Sequence, residues 1–205
     1  MSGIKQFLIS RKSIRNFDKQ FTITNEEINT ILTEASSAPS SNNLQPWKVI
    51  TVKDKSLQKK LSTLAFDQSA IKEASAVFIL YADTTQYDHI EEITKRMVDQ
   101  HIIDEDMATK QIKTVEAFFT LHPNDNQEFG AALDSGLFAM HLMHIIRAHG
   151  YGTVPIRGAT FSKISELLDV PSHWIPIMLL PIGKALDNGY DSIRYHVNEF
   201  STIIE

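Results

Sequence analysis

Apolar residues along this chain recur at two spacings, and the changes between them mark out its elements. Over 4–9 the spacing is helical for a short stretch; over 11–17 polar and apolar residues alternate, the pattern of an extended segment. Thr24-Asn25-Glu26-Glu27 has the form of a capping box, in which the Thr24 hydroxyl and the Glu27 carboxylate each satisfy a backbone donor at a helix start. It predicts a helix over 25–36 that buries Ile28, Ile31, Leu32 and Ala35. The turn formers of 38–46 lead into Trp47–Val52, a predicted strand, and Leu57, Leu61 and Leu64 mark the next helix. A continuous apolar run over 76–82 has strand length.

Residues 84–123 keep helical spacing but are polar and charged with few apolar positions, which predicts a helical excursion on the surface. Over 128–149 the pattern is apolar on nearly every side. That predicts a central buried helix, with Phe129, Leu133, Leu137, Met140 and Ile145 inside it and Gly150 ending it in a left-handed cap. Trp174–Gly183 is the last predicted strand, and 188–205 an extended tail without a core of its own. Strands set irregularly among long helices predict the α+β class, a mixed sheet flanked by helices. With no internal repeat and no linker-like stretch, the 205 residues are expected to form one domain over 1–205.

Composition narrows the chemistry. The absence of cysteine removes thiol catalysis, disulfides and Cys-ligated metal centres, and the cytoplasm is the default compartment. No stretch is read as approaching the ~20 apolar residues of a membrane span, and the N-terminus lacks the apolar core of a signal peptide. A net charge of −5, with Lys and Arg spread along the chain, gives no basic face for nucleic acid but leaves room for a local anion site.

Two segments carry candidate chemistry. In Arg11-Lys12-Ser13-Ile14-Arg15 an extended backbone would point Arg11, Ser13 and Arg15 to one face, two guanidinium forks and a hydroxyl suited to phosphate. Taken alone, the segment reads more readily as a solvated basic turn. Pro39-Ser40-Ser41-Asn42-Asn43-Leu44-Gln45-Pro46-Trp47 gathers amides and hydroxyls that suit the carbonyls and ring nitrogens of a heterocycle, on a loop stiffened by prolines, or else bonded to its own backbone. His141, His144 and His149 share a helix without a carboxylate in a ligand pattern, and His101 stands near Asp104 and Glu105. These are read as core, helix-end or surface histidines, and no metal site is expected. Neither a Gly-x-Gly-x-x-Gly nor a Walker phosphate loop is present.

The two segments in this order resemble the nitroreductase family. The resemblance continues through Phe66-Asp67-Gln68, Glu73-Ala74-Ser75-Ala76-Val77, Val154-Pro155-Ile156-Arg157-Gly158 and Arg194, over nearly the whole chain. It implies an FMN-dependent NAD(P)H oxidoreductase, an intertwined homodimer with its FMN sites at the interface. Such an enzyme reduces nitroaromatic, quinone or related small acceptors by ping-pong hydride transfer through flavin N5, with no catalytic side chain. Other reactions of the superfamily, such as enone reduction, dehalogenation or flavin reduction, and a non-catalytic FMN-binding module are the alternatives.

By the same resemblance Arg11, Ser13 and Arg194 hold the FMN phosphate, while Lys12 and Arg15 line the isoalloxazine and ribityl side. Pro39, Ser40, Ser41 and Asn43 reach the flavin bound mainly by the other subunit. Pro155, Ile156, Arg157 and Gly158 bring backbone amides to flavin N5 and O4, Asp67 accepts from N3–H, and Phe119 caps the substrate stack beside Phe118. Three positions depart from the family pattern: Asp67 stands for an Asn, Ala70 for a Lys or Gln, and Arg157 for an acidic residue. Losing the cation at position 70 leaves Arg15 more alone beside reduced flavin and implies a lower potential. Arg157 reverses the charge beside the acceptor, and the choice of NADH or NADPH stays open.

Overall fold

The structure, a computed structural model, describes residues 3–205. Along the described chain run α1 (Gly3–Ile9), α2 (Asn25–Ala35), β1 (Trp47–Val52), α3 (Lys55–Leu64), α4 (Ser69–Glu73) and β2 (Ala76–Asp83). There follow α5 (Ile90–Asp99), α6 (Glu105–Leu121), α7 (Glu128–Ala148), β3 (Gly152–Thr153), α8 (Phe161–Leu167) and β4 (Trp174–Gly183).

The continuous apolar run of β2 makes it the centre of the sheet, whose order is β1-β2-β4-β3. Every residue of β2 is buried, so both of its faces are covered. Alternation along the strand separates two cores: Val77, Ile79 and Tyr81 pack with Leu61, Ile71 and Ile164 from α3, α4 and α8, while Ala76, Phe78 and Leu80 pack with Ile31 of α2 and Phe138 and Leu142 of α7. The α+β class stands, but the strand directions differ from the expected mixture, because all three described pairings are antiparallel.

The predicted capping box is half formed. The Thr24 hydroxyl accepts from the Glu27 amide at 3.1 Å, but the Glu27 carboxylate accepts from the Tyr151 hydroxyl at 2.5 Å instead of turning back to its own backbone. Gly150 ends α7 as expected, at φ 83°: its amide donates to the Arg147 carbonyl at 2.9 Å and the Tyr151 amide to the Ile146 carbonyl at 3.1 Å, the double bond of a Schellman turn.

Three expectations need correction. The excursion over 84–123 is not poor in core residues, since Tyr87, Ile90, Val115 and Phe119 build a third cluster with Leu44, Ala82 and Ala131 from outside it. Residues 11–17 are extended without alternating cleanly: Ile14 and Phe17 are buried three positions apart in the core against the sheet, and the backbone is tied by a bridge from Phe17 to Ala185, just past β4, and a 3.0 Å bond from the Ile14 amide to the Thr153 carbonyl. Gly152 permits that approach, because a Cβ there would lie 2.8 Å from the Ile14 side chain. Finally, α7 is buried on one face only. Ala131, Asp134, Phe138, Leu142 and Ile146 face the sheet, while Phe129 (63% exposed), Leu133, Leu137 and Met140 form an open stripe on the other side.

Its 21 residues and mean hydropathy of 1.3 also make α7 long and apolar enough to cross a membrane, which the reading of the sequence denied. Asp134, buried on the helix and bonded to two other elements, marks it as a core helix.

Candidate functional site

Arg11 lies at the exit of α1 and lines a cavity of about 480 Å³ with Ser10, Lys12, Arg147, Gly152, Thr153, Asp187 and Asn188. Its Nη1 is buried and has no hydrogen-bond partner among the described residues. Burial, followed by the charges of Arg194 and Arg147, lowers the pKa of its guanidinium. Three guanidiniums thus stand within electrostatic reach of one another, and the nearest paired cation, Lys12, is held by Asp191 at 2.5 Å. An unpartnered buried donor beside two further cations is the electrostatic shape of an anion site. Ser13 and Arg15, expected on the same face as Arg11, do not line this cavity, and Arg15 is exposed. Arg194 sits in the tail with its Nη1 donating to Ser192 Oγ and to the Ile193 carbonyl, each at 2.7 Å.

A second group collects around the turn after α3. Phe66 and Asp67 both adopt φ 56°, and the Gln68 amide nitrogen donates to the Gly158 carbonyl at 3.4 Å. Ile156 is fixed by reciprocal 2.9 Å backbone bonds with Leu179, which carries Pro155, Arg157 and Gly158 past the edge of the sheet. The amides of Arg157 and Gly158 donate to nothing among the described residues. A Cβ on Gly158 would meet only the Phe66 ring, at 3.9 Å, so the chain itself leaves the space beside that glycine open.

The third group is the loop before β1. Asn42, Asn43 and Gln45 have φ of 49°, 58° and 51°. Left-handed backbone at a Gln or a Phe is costly, and such strain gathers at functional sites. Much of the loop's polar capacity is used internally: Ser40 Oγ accepts from the Gln45 amide at 3.0 Å, Asn42 Nδ2 donates to Ser41 Oγ at 3.1 Å, and Gln45 Nε2 donates to the Asn43 carbonyl at 2.9 Å. Pro39 and Asn43 are exposed. The loop is anchored by the Ser41 amide, which donates to Asp134 Oδ2 at 2.9 Å. Asp134 and Arg147 stand thirteen residues apart on α7, about 20 Å at the rise of an α-helix. Within one chain the loop's anchor at Ser41 and the Arg147 side of the Arg11 cavity are therefore well separated along that helix.

Residues 8–184 match the model of the Nitroreductase family. The chain belongs to this family. It is 43% identical to a nitroreductase-like protein of Streptococcus mutans, whose structure superposes with a TM-score of 0.95 over 98% of both chains. It is 33% identical to a nitroreductase of Exiguobacterium sibiricum solved in complex with FMN, at a TM-score of 0.92, over 100% of this chain and 98% of that one. The Bacillus subtilis protein YdgI, which carries a provisional NAD(P)H nitroreductase name, is 37% identical over 94% of this chain and 93% of its own.

Three features of this nitroreductase escaped the reading of its sequence. Lys72 lies 3.3 Å from Asp67, so a cation stands beside the turn although Ala70, where one was sought, is buried. Arg147 completes the anion cavity from the last turn of α7, and Asp134 holds both the loop and the excursion, the latter through the Tyr87 hydroxyl at 2.8 Å. Phe119, expected to cap the substrate, is 8% exposed and packs on Tyr87 with ring centroids 5.1 Å apart; it is a core residue in this chain, and Phe118 is the more exposed of the pair. Two of the histidines bond side chains of α2 and the turn after it, His141 to Ser37 at 3.0 Å and His149 to Glu34 at 2.8 Å, and so tie α2 to α7.

Proposed function

We propose that this nitroreductase-family chain is an FMN-dependent NAD(P)H oxidoreductase that works as a homodimer and reduces nitroaromatic, quinone or related small acceptors. The observation that carries the reading is the buried, unpartnered Nη1 of Arg11 in a cavity it shares with Arg147 and beside Arg194. A phosphate monoester dianion would satisfy that donor with charge-assisted bonds, each contributing on the order of 1.5–3 kcal/mol. Arg11 and Arg194 hold the phosphate, with Ser13 supplying a hydroxyl from the same segment and Lys12 and Arg15 lying along the ribityl and ring side.

When bound, FMN supplies a centre that takes a hydride from NADH or NADPH and gives it to the acceptor. The chain's own part is to bind and orient. The amides of Arg157 and Gly158, which donate to nothing among the described residues, would face the redox end of the ring next to Pro155 and Ile156, and the open space at Gly158 would let the ring lie close. Asp67 accepts from the pyrimidine edge. The exposed Arg157 side chain places a positive charge where the acceptor enters, which favours acceptors carrying negative charge.

Separation and exposure support the homodimer. Ser41 is anchored at Asp134, about 20 Å along α7 from Arg147, so the loop of Pro39, Ser40, Ser41 and Asn43 is read as reaching a flavin held mainly by a second copy. The open stripe of Phe129, Leu133, Leu137 and Met140 gives that copy an apolar surface, and the exposed tail, with Ile193 at 94%, gives it a strap. Initial rates at several fixed quinone concentrations are expected to give parallel double-reciprocal lines against NADH or NADPH, because both substrates use one site in turn. Converging lines would overturn the ping-pong reading.

A further inference from the structure

Arg147 is neither in the segments that resemble the family's cofactor motifs nor free to act as an ordinary ligand. Its Nη1 donates to the Phe7 carbonyl, its Nη2 donates to Ser10 Oγ at 2.8 Å, and its guanidinium lies 4.6 Å over the Phe7 ring. The helix it grips has little hold of its own. None of the side chains of α1 is buried, and Ile4, Leu8 and Ile9 point to solvent. Seven residues are too few for such a helix to persist on local bonding alone. The two groups held by Arg147 lie on the last turn of α1 and at its exit, immediately before Arg11. Ser10 Oγ also donates to the Gln6 carbonyl at 2.6 Å, so one hydroxyl links the helix end to the clamp.

Arg11 leaves this clamped corner with a buried guanidinium nitrogen that no described residue satisfies. An unsatisfied buried donor persists only where surrounding structure prevents its side chain from turning to water. The neighbouring His144 ring, 6.1 Å from Phe7, has a buried Nδ1 that is likewise without a partner among the described residues.

We propose that Arg147 is a positioning residue of the phosphate pocket: by bridging the Phe7 carbonyl and the Ser10 hydroxyl it fixes the exit of α1 and holds Arg11 with Nη1 directed at the anion. The proposal rests on the reading of that cavity as the seat of the FMN phosphate. Its chemistry requires a planar fork, because two acceptors on one helix end must be held together while the ring of Phe7 is covered. A lysine keeps the charge but not the fork.

The test titrates flavin-stripped full-length protein with FMN and with riboflavin, which lacks the phosphate, and compares the two dissociation constants. Arg147→Met and Arg147→Lys are both expected to weaken FMN by about ten-fold, roughly 1.4 kcal/mol, while riboflavin changes less than two-fold. Ser10→Ala, a milder change that leaves the fold intact, is expected to weaken FMN by about three-fold on the same pattern. Arg11→Met serves as the control and is expected to remove most of the preference for FMN. Equal losses for FMN and riboflavin overturn the proposal, as does full recovery in Arg147→Lys, which would make Arg147 a simple charge. If Arg11→Met leaves the preference untouched, the phosphate reading itself falls and the proposal falls with it.

Discussion

Tyr151 and Tyr87 each give a phenol proton to a carboxylate, Glu27 and Asp134, and each is harder to ionise as a result. Burial first, then the bond to Glu27 and its charge, pushes Tyr151 up to about 12; burial first, then Asp134, raises Tyr87 further. An unfolded tyrosine titrates near pH 10. The folded state therefore binds these protons more tightly, and the stability they contribute is complete below about pH 10 and is lost as pH rises toward 12. Urea unfolding at intervals from pH 9 to 12 should show stability falling over that window, with a shallower fall in Tyr151→Phe. A second residue-scale expectation concerns Asp67, whose charge offsets Lys72 at 3.3 Å. On the proposed placement of the flavin against this turn, Asp67→Asn leaves the lysine unneutralised beside it, which favours the reduced, more negative form. A redox titration should give a higher flavin potential than in the parent, and a lower one contradicts the assignment. The residues that resembled a family motif were legible in the chain, but Arg147 and Asp134 were not. Their partners lie 140 and 93 positions away, at Phe7 and Ser41, and no local pattern announces such pairs.

At the scale of elements, apolar runs and periodicity located β1, β2, β4, α2 and α7, because burial on one or both faces writes itself into local spacing. The excursion was misjudged since its core is completed by Leu44, Ala82 and Ala131, which are distant in sequence. The exposed face of α7 was misjudged because an apolar residue on an open stripe has the same helical spacing as one facing the sheet. Strain, too, was invisible: nothing in Phe66-Asp67 or Asn42-Asn43-Leu44-Gln45 signals a left-handed backbone beyond the asparagines. Phe66 is 76% exposed and pays for its φ of 56° without compensating burial. Phe66→Gly is expected to raise the stability of the flavin-free protein by about 1 kcal/mol, seen as a higher urea midpoint. No gain, or a loss, means that the Phe66 ring contributes packing that outweighs the strain.

For the whole molecule, one chain carries an anion cavity at Arg147 and a polar loop anchored at Asp134, separated along α7, together with an open apolar stripe and an exposed tail. Leu133→Glu with Leu137→Glu places two charges in that stripe and, for the proposed dimer, is expected to give monomers that no longer retain FMN, read by sedimentation together with flavin absorbance. A monomeric variant holding FMN as tightly as the parent would separate the cofactor from the assembly. The central claim, a flavin that relays electrons from a nicotinamide to a small acceptor, is tested most directly by following the visible absorbance of the purified protein under anaerobic conditions. Bound flavin absorbance is expected to bleach on addition of NADH or NADPH and to return when a quinone or nitroaromatic follows. A protein that stays colourless after incubation with FMN, or whose flavin neither nicotinamide bleaches, contradicts the account.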